Sequence, residues 1–99
     1  MATPAELLDL AVRYQKNGDL RQAEELCRQL IQADPGYAAA YHLLGLIAHQ
    51  AGDHQAAVNL LRQASTLNPS DVSCLFNLAI VFMHLGRQDE AVEDRKSVV

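Results

Sequence analysis

The chain has 99 residues, of which 49% are hydrophobic and 20% charged, and its formal net charge is −4 at pH 7 with histidine neutral. That length accommodates one small domain, and the acidic balance lacks the basic stripe that a nucleic-acid partner requires. The N-terminus has no basic segment of a secretory signal, and the most apolar run, residues 75–85, is about half of the ~20 residues of a membrane span. We therefore expect a cytoplasmic protein without membrane contact.

Two helices are predicted in the first third of the chain, over residues 4–17 and 20–33. Gly18 interrupts the helical pattern, and Asp19 after it is a residue type that caps the start of a helix. Pro35 ends the second helix, because the residue before a proline is pushed out of the helical region. The first third therefore predicts a helical hairpin.

The middle third repeats this plan, with helices predicted over residues 38–51 and 54–67. Gly52 breaks the run, Asp53 caps the second helix, and Pro69 lies just beyond its end. Apolar residues recur at three- and four-residue spacing in both segments, which predicts one buried face on each helix.

The last third predicts a helix over residues 72–85, a break at Gly86 and a sixth helix from residue 88 onward. The first of these helices is apolar nearly all round, with Val81 adding to its hydrophobic face. Such a helix is expected to be covered on both sides.

These three parts form an internal repeat of 34 residues. Its matched positions are Gly18, Gly52 and Gly86; Ala23, Ala57 and Ala91; Leu10, Leu44 and Leu78; and the pair Pro35 and Pro69. Small residues are expected where paired helices approach closely, at Gly45, Ala79, Ala23, Ala57 and Ala91. Larger residues are expected to fill the space around them, at Tyr14, Leu61 and Phe82. The widely spaced Cys27 and Cys74 are interpreted as buried free thiols.

The pattern resembles the tetratricopeptide repeat (TPR). Unit two matches its signature at Tyr41, Leu44, Gly45, Ala48, Gly52, Ala57, Leu61, Ala64 and Pro69. The resemblance divides the chain into repeat 1 (4–37), repeat 2 (38–71) and a partial repeat 3 (72–93). It implies an all-α, right-handed solenoid of about two and two-thirds repeats, in which the first helix of each repeat lines a concave groove.

The family's groove positions predict a mainly apolar peptide-binding surface. Its predicted residues are Leu8, Val12, His42, Leu46, His49, Phe76, Asn77, Ile80, Met83 and His84. A clamp for a C-terminal carboxylate is not expected. TPR domains with such a clamp have Lys, Asn and Arg at set positions on these helices, and Asn77 is the one residue here that agrees. The apolar groove either receives a partner peptide or helix, or is covered by further chain or by another copy of this one.

Asn77 supports two interpretations. In the repeats of O-linked N-acetylglucosamine (O-GlcNAc) transferase, an asparagine at this position holds the backbone of an extended peptide, because an amide both donates and accepts. Leu43 and Asp9 occupy the equivalent positions here, so Asn77 is either one such contact or a locally bonded residue. Two functions follow: a non-catalytic protein-binding scaffold, or the substrate-presenting arm of a larger O-GlcNAc transferase-like enzyme or sulfotransferase.

No catalytic, cofactor-binding or metal-binding motif is recognised in the chain. His42 and His49 are two helical turns apart, ~10 Å along the axis, which is too far for ligands of one ion. His54 and His84 are interpreted as surface residues near helix ends. The chain itself is therefore expected to have no enzymatic activity.

Residues 94–99 are interpreted as a non-native tail of a truncated chain. One possible set of codons for them, GAT CGG AAG AGC GTC GTG, forms a string that resembles a common sequencing-library adapter. The repeat register supports this interpretation, since Arg95 falls where the first two units have Cys27 and Leu61. Self-association through the exposed third repeat is a further expectation.

Overall fold

A computed structural model describes the backbone of residues 2–97 and the side chains of residues 2–86. This part of the chain is all α-helical. Its helices are α1 (Pro4–Lys16), α2 (Leu20–Ala33), α3 (Ala38–Gln50), α4 (His54–Leu67) and α5 (Val72–Ser97). The first four confirm the predicted hairpins to within one residue at each end.

The turns inside the first two hairpins share one geometry. Gly18 and Gly52 have φ of +83° and +87°, a left-handed backbone that residues with a Cβ rarely adopt. The N–H groups of Asp19 and Asp53 then donate back to carbonyls five residues earlier, at 2.8 and 2.9 Å. Each aspartate also caps the next helix, and the Asp53 carboxylate accepts the Ala56 N–H at 3.1 Å.

The predicted break at Gly86 is wrong. Gly86 lies inside α5, which continues to Ser97 as one helix of 26 residues. The difference has a local cause, because the residue after the glycine is Arg87, where the first two repeats have Asp19 and Asp53. Arginine has no acceptor with which to cap a new helix. Gly86 accordingly keeps a helical backbone and does not adopt positive φ.

The predicted small-residue contacts hold in the first two repeats. Ala23 and Ala57 are completely buried, and a Cβ placed on Gly45 would lie 2.8 Å from Cγ of Leu61. Cys27 is buried as a free thiol in repeat 1, as is Cys74 at the contact of α4 with α5. Burial raises the pKa of the Cys27 thiol to about 12, and the nearby Glu24 charge adds to that shift.

The corresponding prediction for the third repeat is wrong. Ala79 is exposed and Phe82 is 42% exposed, although both were expected to lie inside a helix pair. The cause is the straight course of α5, since no described helix folds back over this face. Arg62 of α4 lies over the Phe82 ring, 5.2 Å from its centroid. The prediction for Ala91 lies outside the described side chains, as does the interpretation of residues 94–99.

Candidate peptide-binding groove

The first helices of the three repeats form one layer. Helix α1 contacts α3 and α3 contacts α5, while α2 and α4 pack behind them. The molecule is elongated, with extents of 60 × 28 × 19 Å. All ten predicted groove residues lie on the three helices of this layer, α1, α3 and α5.

The apolar groove residues differ in how far they enter the core. Leu8 and Val12 are partly buried and pack against the core of repeat 1 and α3. Phe76 and Met83 on α5 are 66% and 57% exposed, whereas Leu46 and Ile80 are half-buried. The accessible hydrophobic surface of the layer is therefore concentrated on α5.

A polar chain joins α3 to α5. The amide nitrogen of Asn77 lies 2.9 Å from Nε2 of His42, and Nδ1 of His42 lies 3.5 Å from a carboxylate oxygen of Asp71. Asn77 donates to the ring when the ring proton sits on Nδ1, and that proton then faces Asp71. This arrangement leaves the Asn77 carbonyl oxygen available as an acceptor.

Asp71 was not among the predicted site residues. Its other carboxylate oxygen accepts from the Ser73 hydroxyl at 2.7 Å and from the Ser73 and Cys74 N–H groups at 3.1 and 3.3 Å. These bonds, led by the one from the Ser73 side chain, lower the pKa of Asp71. The sequence signal was an aspartate just before a helix with serine two residues later, which indicates a cap. Its contact with His42 depends on how two repeats stack.

A second group of polar side chains lies at the C-terminal end of α3. The side-chain amides of Gln15 and Gln50 are hydrogen-bonded and so connect α1 to α3. His49, which precedes Gln50 in the last turn of α3, forms the histidine cluster with His54 and His84. Their ring centroids are 4.9 Å apart for His49 and His54, 5.0 Å for His49 and His84, and 5.5 Å for His54 and His84.

Sequence reasoning placed His49 and His84 in the groove but did not predict that they meet His54. Nδ1 of His49 lies 2.9 Å from Nδ1 of His54. The pKa of His49 is lowered, first by burial and then by the charges of His54 and His84. Among the described residues, no group of three or more histidine, cysteine or acidic side chains is arranged to hold a metal ion. No described helix is both apolar enough and long enough to span a membrane.

Helical hairpins, each closed by a glycine–aspartate turn, stack so that their first helices form a continuous layer. This arrangement defines the chain as a helical-repeat solenoid. It belongs to the tetratricopeptide-repeat family, whose model matches residues 8–71 and again residues 50–94. The resemblance in the repeat signature is thereby confirmed.

Two curated relatives illustrate the range of proteins with similar repeats. The human PEX5-related protein is 30% identical over 82 residues, which cover 83% of this chain and 13% of that protein. The probable biofilm formation methyltransferase WspC of Pseudomonas aeruginosa is 29% identical over 86 residues, covering 87% of this chain and 20% of that protein. The chain thus spans a fifth or less of the length of either relative.

Solved structures show the same fold. A mutant O-GlcNAc transferase of Thermobaculum terrenum superposes with a TM-score of 0.76 at 35% identity, covering 82% of this chain and 16% of that one. MamA superposes with a TM-score of 0.77 at 28% identity, covering 92% of this chain and 53% of that one. These similarities identify a TPR solenoid, a fold that serves many functions.

Proposed function

We propose that this chain is a non-catalytic binding module whose α1–α3–α5 layer receives a peptide or a partner helix. The observation that carries the proposal is that α5 combines exposed apolar side chains with a polar amide held in place by a hydrogen bond. Phe76 and Met83 are largely exposed, and Asn77 between them is held by His42.

This combination suits a peptide chemically. Exposed aromatic and thioether side chains offer adaptable apolar contacts, and an amide held in one orientation loses less entropy on binding than a free one. Because His42 accepts one N–H of Asn77, the carbonyl oxygen of that amide is the group that would accept a peptide N–H. Apolar anchors would supply affinity, and Asn77 would select an extended backbone or a polar side chain.

The first experiment is selection of ligands from a random peptide library, followed by fluorescence anisotropy with the selected peptides. Phe76→Ala and Met83→Ala should each weaken binding by ~5- to 30-fold, the range typical of buried interface anchors. Leu67→Ala is the matched control, because Leu67 is 40% exposed but lies on α4. Equal affinities in all three variants, or no selected peptide at all, would contradict the proposal.

A second candidate function is the arm of a larger transferase that presents its substrate. It is supported by similarity to two proteins that carry the names of enzymes. These are the O-GlcNAc transferase at 35% identity and the probable methyltransferase WspC at 29%. The test is the reading frame beyond residue 93 in the source DNA. A transferase domain there would favour this candidate, and more repeats followed by a polar capping helix would favour the scaffold.

A further inference from the structure

The histidine cluster joins three helices at one point. His49 lies in the last turn of α3, His54 is the first residue of α4, and His84 lies on α5. All three ring centroids lie within 5.5 Å of one another. The cluster therefore connects the second hairpin to the helix that follows it.

The contact between His49 and His54 depends on protonation. Their Nδ1 atoms are 2.9 Å apart, a distance at which one nitrogen must donate and the other accept. At most one proton can lie between them. When both rings are charged, each Nδ1 carries a proton, so the contact becomes two opposed donors on two like charges.

No acidic side chain among the described residues acts on the charge of His49 to offset this repulsion. Of the titratable groups on the described parts of the helices packed against α3, only His54 and His84 act on the charge of His49. Asp53, next to His54, already accepts the Ala56 N–H at 3.1 Å as the cap of α4.

We propose that the histidine cluster is an acid-sensitive joint, closed while its rings are largely neutral and opened when they become protonated. Protonation would repel the exposed His84 ring of α5 from His49 and His54, and so loosen the contact of α5 with the second hairpin at this end of the α1–α3–α5 layer. Helices α1 and α2 should not respond in this way, because they contribute no residue to the cluster. The inference does not require that the layer binds a peptide.

The direction of the pH effect follows from linkage. The folded chain lowers the pKa of His49 below its usual 6.5, so the unfolded chain binds more protons as the pH falls through that value. Stability is therefore fully present above about pH 6.5 and declines below it, until the pH passes the lowered pKa of the folded state.

The test compares thermal unfolding and the NMR titration of the histidine rings, in buffer with a chelator. Between about pH 7.5 and about pH 5.5, the melting temperature of the unmodified chain should fall by several degrees. His84→Gln should remove part of that fall, and it should raise the pKa of His49 measured by NMR. Because His84 is exposed, this variant should fold.

His42→Gln is the matched control. His42 lies outside the cluster and is not among the charges that act on His49, so its removal should leave the pKa of His49 measured by NMR unchanged. Hydrogen exchange should show faster opening of α5 than of α1 in acid. The proposal is overturned if His84→Gln leaves the fall unchanged, or if His49 titrates at 6.5 in both proteins.

Discussion

The second hairpin and helix α5 have similar apolar content but very different environments. In the hairpin, α3 packs between α2 and α4, and Leu43, Gly45 and Ile47 are all buried. In α5, Cys74 and Val81 are buried, yet Val72, Phe76 and Met83 are 75%, 66% and 57% exposed. The difference shows that in a repeat protein a helix is buried by its neighbours, since each repeat contacts mainly the next one.

The largest expected difference between the two regions comes from removing a leucine. Leu61→Ala in α4 should lower the free energy of unfolding by about 2–5 kcal/mol, because Leu61 is completely buried against Gly45 and the deletion leaves a cavity. Leu75→Ala in α5 should cost about 1 kcal/mol or less, since that side chain is 45% exposed. Urea unfolding of both variants measures the comparison, and equal losses would contradict it.

Adding volume should distinguish the regions by a smaller margin. Ala57→Leu should destabilise the chain by about 1–3 kcal/mol, because Ala57 is completely buried at the α3–α4 contact. Ala79→Leu is the control on α5, where the side chain is exposed, and it should change stability by about 0.5 kcal/mol or less. Melting temperatures that stay unchanged for Ala57→Leu would refute the proposed register of the hairpin.

The glycines should give effects of opposite sign. Gly52→Ala should destabilise by about 1 kcal/mol, because Gly52 has φ of +87°. Gly86→Ala should stabilise by up to about 1 kcal/mol, because Gly86 lies within α5 and a Cβ there meets no atom of the described neighbouring side chains within 4 Å. If both substitutions destabilised equally, Gly86 would be a turn and the continuous helix would be wrong.

The first two repeats could be predicted well from the sequence, because the residues that end and begin their helices act locally. A glycine, an aspartate and a proline at fixed spacing each act on the backbone within a few residues of themselves. The same logic failed at Gly86, where the glycine was given more weight than the Arg87 that follows it. A glycine alone permits a turn, whereas the cap after it stabilises the new helix.

The repeat register predicted which residues lie on the first helices, but it did not predict the contacts between their side chains. Assigning Phe76, Asn77 and Met83 to the first-helix layer needed only the repeat register. The pairing of His42 with Asp71, and the meeting of His49 with residues on α4 and α5, depend on the angle at which one repeat stacks on the next. That angle is a tertiary property that no spacing along the chain encodes.

The two cysteines have a practical consequence. Cys27 reports from the first repeat and Cys74 from the contact of α4 with α5, and both are completely buried. Burial raises the pKa of each thiol, so modification by a thiol reagent requires that the surrounding helices separate first. The rate at which a thiol reagent modifies each cysteine would therefore measure how often the surrounding region opens. The two regions could be followed separately, without an added probe.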